Sequence, residues 1–303
     1  MGPALGIDLG GTKIAAGLFA PDGTLLTKRV SLLDGAEGEA VGALLIDLIR
    51  AFISSGEKLS GIGVCVPGIA YGGTGRVWAP NIPGWEDYPL RDRIRECPGV
   101  GDIPVFIESD RTCYILGEYW KGAAKGCRNA IYLAIGTGIG AGILADGRIL
   151  HGAGDIAGAT GWMALQEPFL EEYVRCGCFE YYASGTGIGE RAAEQYGRED
   201  ITSPDVFAAY EREDPVATAV LDKAVRLWGM AAANFVSLFN PEILVFGGGV
   251  FGPAARFIER IYAEACRWSQ PVAIKQVRFL PSAVQGDAAL IGAAALTLHH
   301  EML

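Results

Sequence analysis

Apolar residues are grouped along the chain in two ways, and each grouping predicts its own kind of element. Residues 4–9 (ALGIDL) predict a strand, GGT a turn and 13–20 (KIAAGLFA) a second strand. PDG at 21–23 is a hairpin turn, and 24–32 returns as a third strand. At 39–53 (EAVGALLIDLIRAFI) the apolar positions fall at helical spacing instead. GIGVCVPG at 61–68 carries no charge, as expected of a central parallel strand buried on both faces. IPVFIESD at 103–110 is another such strand, ending in two acids, with a helix predicted from Asp110 to about Lys121.

The same plan then restarts. Residues 129–150 (NAIYLAIGTGIGAGILADGRIL) read as strand, Gly/Thr turn, strand, turn, strand. PEILVFGGGV at 241–250 is a buried strand ending in three glycines, with a helix expected directly after it. GDAALIGAAALTLHH at 286–300 predicts a closing helix of small residues. Two βββαβα-type units follow, each opening with a Gly/Thr hairpin, so the fold class is α/β with two similar domains. The boundary is placed near residue 122. That gives a small domain over 1–122, rejoined by a helix at about 288–303, and a large domain over 123–287.

Composition narrows the function classes. A net charge of −10, without a long Lys/Arg run, excludes a nucleic-acid surface. No apolar run reaches the roughly 20 residues of a membrane-spanning helix. With only His151, His299 and His300, a His-centred triad or a His-rich metal site is excluded as well. The seven cysteines mostly stand singly in apolar surroundings, which predicts reduced thiols in a cytoplasmic protein. The opening MGPALGIDLGG lacks a basic n-region and is not read as a signal peptide.

The candidate chemistry lies in the Gly-rich turns. DLGGTK (Asp8 to Lys13) is strand–turn–strand, so it is neither a dinucleotide fingerprint nor a Walker loop, both of which need a helix after the glycines. The N–H groups of Gly10, Gly11 and Thr12 can face an anion and Asp8 can order hydrated Mg²⁺; otherwise this is an ordinary hairpin. Gly136, Thr137 and Gly138 repeat the device in the second half. Gly247, Gly248 and Gly249 let a flat ring approach the backbone, as adenosine would, or else serve tight strand–helix packing. Asp110 stands at the end of a parallel strand, where open α/β sheets keep their ligands. It is either a helix cap or the carboxylate that takes a proton from an attacking hydroxyl. Asn81 can donate to and accept from sugar hydroxyls. Cys176 and Cys178 stand without the further ligands that a zinc site needs, so no metal site is expected there.

Together these motifs resemble the ROK family of sugar kinases, within the actin-like ATPase superfamily. The matches run in order through D-x-G-G-T-K at 8–13, A-P-N-x-P-G-W at 79–85, Asp110, G-T-G-I-G at 136–140, G-C-x-E at 177–180, S-G-T-G-I at 184–188, G-G-G-V at 247–250 and A-x-x-G-A-A at 289–294. The resemblance implies two actin-like (ribonuclease H-like) domains facing a central cleft and a cytoplasmic homodimer. It also implies ATP- and Mg²⁺-dependent phosphorylation of a sugar's 6-hydroxyl. Asp110 would be the general base. Asp8, Gly10, Gly11, Thr12, Lys13, Thr137 and the other hairpin glycines would bind nucleotide, and Gly75, Asn81, Ser109 and Glu180 would lie at the sugar. Family repressors carry a winged helix before the first hairpin. Here that hairpin starts at residue 8, which points to the enzyme branch. The alternative is a nucleotide- or sugar-binding sensor with little catalysis.

Three departures bear on the acceptor. The family's N-D is Ser109-Asp110. Its A-G-E-x-G-H becomes Ala157-Gly158-Ala159-Thr160-Gly161-Trp162, so the Glu that binds the C1/C2 side of the ring is Ala159 and the zinc-ligating His is Trp162. Its C-x-C-G-x-x-G-C survives only as Gly177-Cys178. The stretch 154–166 is therefore a sugar-specificity loop without its polar ligands. The expected acceptor is not plain glucose but a sugar that lacks hydroxyls at C1/C2 or carries an apolar or acylated group there. Trp162 either offers a ring face to it or fills the hole left by the lost zinc lobe.

Overall fold

The computed structural model describes residues 2–54, 56 and 58–303. Contacts divide the chain into two units, one of residues 1–125, 148–157 and 287–303, the other of 126–147 and 158–286.

In the first unit, β1 (Ala4–Leu9), β2 (Lys13–Phe19) and β3 (Leu25–Leu32) form an antiparallel meander. Helix α1 (Gly38–Ile53) leads to β4 (Gly61–Val66), which lies parallel to β1. A small hairpin of β5 (Ile69–Ala70) and β6 (Val77–Trp78), then α2 (Leu90–Arg95), precede β7 (Val105–Ser109) and α3 (Asp110–Lys121). The sheet order is β3-β2-β1-β4-β7. β1 and β4 are almost wholly buried, which accounts for the uncharged sequence of β4 and for the single charge, Asp8, in β1. β3 is an edge strand, and it carries Lys28 and Arg29 among exposed apolar residues, a common way to blunt an edge.

In the second unit, β8 (Ala130–Ile135) pairs antiparallel with β9 (Ile139–Ala145). The two-residue β10 (Arg148–Ile149) begins the segment 148–157, which clusters with the first unit. Three bonds hold that segment there. His151 Nε2 lies 3.1 Å from Glu108 Oε1, Asp155 Oδ2 accepts from Gly72 N at 3.1 Å, and Arg111 Nη1 donates to Ile156 O at 3.4 Å. Helices α4 (Tyr173–Cys176), α5 (Cys178–Ala183), α6 (Gly185–Tyr196), α7 (Ser203–Tyr210) and α8 (Pro215–Phe239) then lead to β11 (Ile243–Gly247), α9 (Ile258–Trp268) and β12 (Arg278–Pro281). In this sheet β9-β8-β11-β12 are neighbours in that order. The helix expected directly after Gly249 does not form there. Two 3₁₀ turns, Gly249–Phe251 and Pro253–Phe257, come first. Pro253 has no N–H to give a continuing helix, and Gly252 before it favours a break.

Helix α10 (Ala288–Leu298) packs on α3, β1 and β4. Its small residues permit an unusually close approach. A Cβ on Gly292 would stand 1.8 Å from Cys113 O of α3, and one on Gly63 of β4 would stand 1.8 Å from Ala293 O. Both obstacles are backbone and cannot swing aside. Gly292→Ala is therefore expected to destabilise the protein. Overpacking costs about 3 kcal/mol at the upper end of its usual range, more than the about 1 kcal/mol that Ala gains over Gly in a helix. A lowered urea midpoint at constant m-value would show it; an unchanged midpoint would mean that α10 can slide away from α3.

Candidate active site

The first hairpin turns at residues 10–12. Gly10 N donates to Lys13 O at 2.9 Å and so closes the turn. Its N–H is spent, and the sequence reading of three free amides becomes two: the N–H groups of Gly11 and Thr12 have no protein acceptor among the described residues. Both residues are exposed, as is Lys13. Asn81 lies beside them, since a Cβ on Gly11 would stand 3.8 Å from Asn81 Cβ. The loop that presents Asn81 is anchored by Trp85, which is fully buried, stacks on Tyr88 and donates from Nε1 to Gly38 O at 2.9 Å.

Asp8, Cys65 and Glu108 form one register row across the parallel strands β1, β4 and β7. The C-terminal ends of those strands thus gather Asp8 and the residues that follow Glu108. Burial pushes the Asp8 carboxyl above its usual range, opposed by a hydrogen bond from Cys65. Asp8 makes no ion pair among the described residues, so a divalent cation suits it. Glu108 is engaged by His151, whose pKa is raised chiefly by that hydrogen bond.

Asp110 is not the cap of α3. Ser109 is: its Oγ accepts from Thr112 N at 3.4 Å and lies 3.3 Å from Thr112 Oγ1. The Ser109 hydroxyl, expected at the sugar, is buried and used within its own helix. Asp110 is left as the first helical residue, with Oδ1 accepting from Arg111 N at 2.8 Å. Dense surroundings raise its pKa to about 6; the Arg111 charge and that backbone bond pull it down, and Asp8 pushes it up. Gly75 has φ +71°, where a side chain is strained, and a Cβ there would strike Arg91.

The second hairpin repeats the first with a different lock. Gly136 N donates to Gly138 O at 3.0 Å, and Gly136 O accepts from Gly185 N at 2.7 Å. The latter bond docks the start of α6 on the hairpin, and Ser184 caps that helix by accepting from Gly187 N at 2.9 Å. A cavity of about 500 Å³ opens here, lined by Thr137, Thr186, Glu190, Ser203, Pro204 and Gly249 among others, and Gly136 borders it too. Gly247 and Gly248 do not line it. A Cβ on Gly247 would meet the Tyr132 hydroxyl, and Gly248, at φ +88°, lies against the Ile135 backbone. Their role is the packing alternative, and Gly249 alone of the three reaches the cavity. The sequence reading assigned no role to Thr186 or Glu190, although the S-G-T-G-I match held the signal: a Ser cap opening a Gly-rich helix. Ser203 and Pro204 carry no such local signal.

Glu180, on α5, meets both the hairpin and the loop at 154–166. Its Oε2 accepts from Ile139 N at 2.6 Å. The same oxygen would stand 2.7 Å from a Cβ on Gly138 and 2.8 Å from one on Gly161. Burial raises its pKa, and the Ile139 bond opposes the rise. Ala159 precedes a 3₁₀ turn over Thr160–Trp162, and Thr160 Oγ1 is buried without a hydrogen-bond partner. Trp162 fills no hole: it is 58% exposed and borders an apolar cavity of about 830 Å³ with Phe169, Tyr173 and Val174. Cys178 is buried and Cys176 half-buried, and among the described residues no three His, Cys, Asp or Glu side chains are grouped to hold a metal.

Known proteins resemble this chain in sequence and fold. The chain is 32% identical to a glucokinase of Halalkalibacterium halodurans, over 98% of this chain and 95% of that protein. A ROK hexokinase from Thermus thermophilus superposes with a TM-score of 0.84 at 32% identity, covering 99% of this chain and 98% of that one. A ROK family glucokinase from Streptomyces griseus, in complex with glucose and AMPPNP, superposes with a TM-score of 0.77 at 27% identity, covering 97% and 99%. The two-unit α/β fold is thus the actin-like fold of these kinases. With the ROK family profile matching residues 4–300, the chain belongs to the ROK family.

Proposed function

We propose that the protein is an ATP-dependent sugar kinase that transfers the γ-phosphoryl group to a primary hydroxyl, with Asp110 as general base. The observation that carries this reading is the state of Asp110. Ser109 does the capping, so the Asp110 carboxylate is left at the end of a buried strand with a pKa of about 6. A base poised near the working pH both exists deprotonated and holds a proton well.

The cavity beside Thr137, Thr186 and Gly249 is of a size and lining that suit a nucleoside. The free N–H groups of Gly11 and Thr12 suit phosphate oxygens. Asp8 suits the Mg²⁺ that accompanies ATP and offsets its charge. Asn81 and Glu180 orient the acceptor's hydroxyls. Asp110 accepts the proton of the attacking hydroxyl while its oxygen forms a bond to the γ-phosphorus. The bond from that phosphorus to the β-bridging oxygen breaks, and ADP departs with the electron pair.

The test is ADP release measured over hexoses, amino sugars, sugar acids and polyols, with the product identified by mass. Acceptor-dependent ADP and a product heavier by one phosphoryl group are expected. Nucleotide binding without acceptor-dependent ADP over the whole panel would instead make the protein a sensor.

A further inference from the structure

Arg111 directly follows Asp110, yet it makes no ion pair among the described residues. It is half-buried, and its guanidinium is held by two long bonds, from Nη2 to Gly68 O at 3.3 Å and from Nη1 to Ile156 O at 3.4 Å. Two carbonyls use two of five donors and neutralise nothing. A charge partly withdrawn from water is normally paired. Another guanidinium in the same unit, that of Arg91 on α2, donates from Nη2 to Gly72 O at 3.0 Å. Arg91 also makes no ion pair among the described residues and its Nε is buried without a partner, but it lines a small cavity with Glu108 and Asp155, whereas Arg111 directly follows the proposed base. The acid next to Arg111 is Asp110, which accepts from its backbone N–H at 2.8 Å and feels its charge, but the two side chains form no ion pair.

The position of Arg111 says what it would bind. One end of its environment is the proposed base. The other is the carbonyl of Ile156. A guanidinium without an ion pair beside the base offers an acceptor a positive charge. A neutral sugar would leave the guanidinium unpaired. An anionic one would pair it, and Arg matches a carboxylate with two parallel N–H···O bonds.

We propose that Arg111 is a specificity-determining residue that binds the carboxylate of an acidic acceptor, a sugar acid with its charge at C1 and a free hydroxyl at C6. The inference rests on the kinase reading and names its substrate class. The sugar's carbon chain then keeps the acceptor's charge away from Asp110, while its far hydroxyl reaches the base.

The decisive comparison is gluconate against glucitol, which share the carbon chain and the terminal hydroxyl and differ in charge. Gluconate is expected to have a kcat/KM at least about tenfold higher, since charge-assisted hydrogen bonds contribute about 1.5–3 kcal/mol each and 1.4 kcal/mol is tenfold. Arg111→Gln should bring that ratio to about one, chiefly through KM for gluconate, and Arg111→Lys should leave it in between. A wild-type ratio of one or less overturns the proposal, and so does N-acetylglucosamine or an alkyl glucoside outperforming gluconate. Equal losses on both acceptors in Arg111→Gln, with the ratio kept, would mean that the guanidinium serves the base or the phosphoryl group. Calorimetric titration of gluconate into the protein with AMPPNP separates this idea from the kinase reading. Gluconate binding that Arg111→Gln abolishes supports Arg111 even if no acceptor turns over, and absence of binding to the wild type rejects it.

Discussion

Asp110→Asn is expected to bind ATP and to lose phosphoryl transfer by about 10²–10⁴-fold, the usual contribution of a general base. The side chain is nearly isosteric and α3 keeps its cap, because Ser109 supplies it. The fold should therefore survive. What disappears is the atom that takes the proton, since an amide oxygen is far too weak a base. The wild-type pH profile should carry the same signature. A carboxyl is basic only when deprotonated, and that of Asp110 has a pKa of about 6. The ratio kcat/KM should thus fall as the pH drops through about 6 and level off above it, and Asp110→Asn should lack this limb. The measurement is kcat/KM from pH 5 to 8 for both proteins with the best acceptor, since that ratio reports the groups of the free enzyme. A variant with wild-type turnover, or one that retains the acidic limb, would remove Asp110 from the chemistry.

Glucose is expected to be a poor acceptor, at least about 10²-fold below the best one in kcat/KM. A carboxylate that grips two ring hydroxyls makes two charge-assisted bonds, each contributing about 1.5–3 kcal/mol, and about 1.4 kcal/mol is tenfold. Ala159 makes neither. The structure offers no substitute on the same turn except Thr160, whose Oγ1 is buried and unpartnered. A hydroxyl that can hold a water is a weaker grip than a carboxylate. Trp162, exposed and bordered by an apolar cavity, adds no hydrogen-bond acceptor to a sugar edge. The measurement is kcat/KM for glucose against the best member of the panel. A glucose value of about 10⁴ M⁻¹s⁻¹ or more, ordinary for a working enzyme, would show that something else has replaced the lost carboxylate.

The strands of both sheets were legible because their signals are local. Uncharged runs such as GIGVCV mark buried parallel strands, and GGT or GTG between two largely apolar runs marks a hairpin. The division of labour at 108–110 was not legible. Three neighbouring polar residues look alike in sequence, yet Glu108 is taken by His151, Ser109 by Thr112 and only Asp110 is left. His151 is 43 residues away from Glu108, and no local pattern announces the pair. The same holds for Gly247 and Gly248. Their run with Gly249 reads as one ligand loop, but the first two are required by the Tyr132 ring and the Ile135 backbone, contacts that exist only once β8 and β11 are paired. The spent N–H of Gly10 is a matter of turn geometry that the letters GGT leave open.

The close seat of α10 also sets an order of events. The strands and helix that carry Asp8 and Asp110 are complete by residue 121, but the surface formed by β1, β4 and α3 is shaped to receive residues 288–298. During synthesis the ribosome must produce the whole of the second unit before that surface is filled. The second unit, made of residues 126–147 and 158–286, has all of its chain once residue 286 emerges, whereas the first waits with its glycine-lined face open. The half of the protein that holds the proposed base is therefore made first and finished last, and truncation upstream of residue 288 removes the element that completes it.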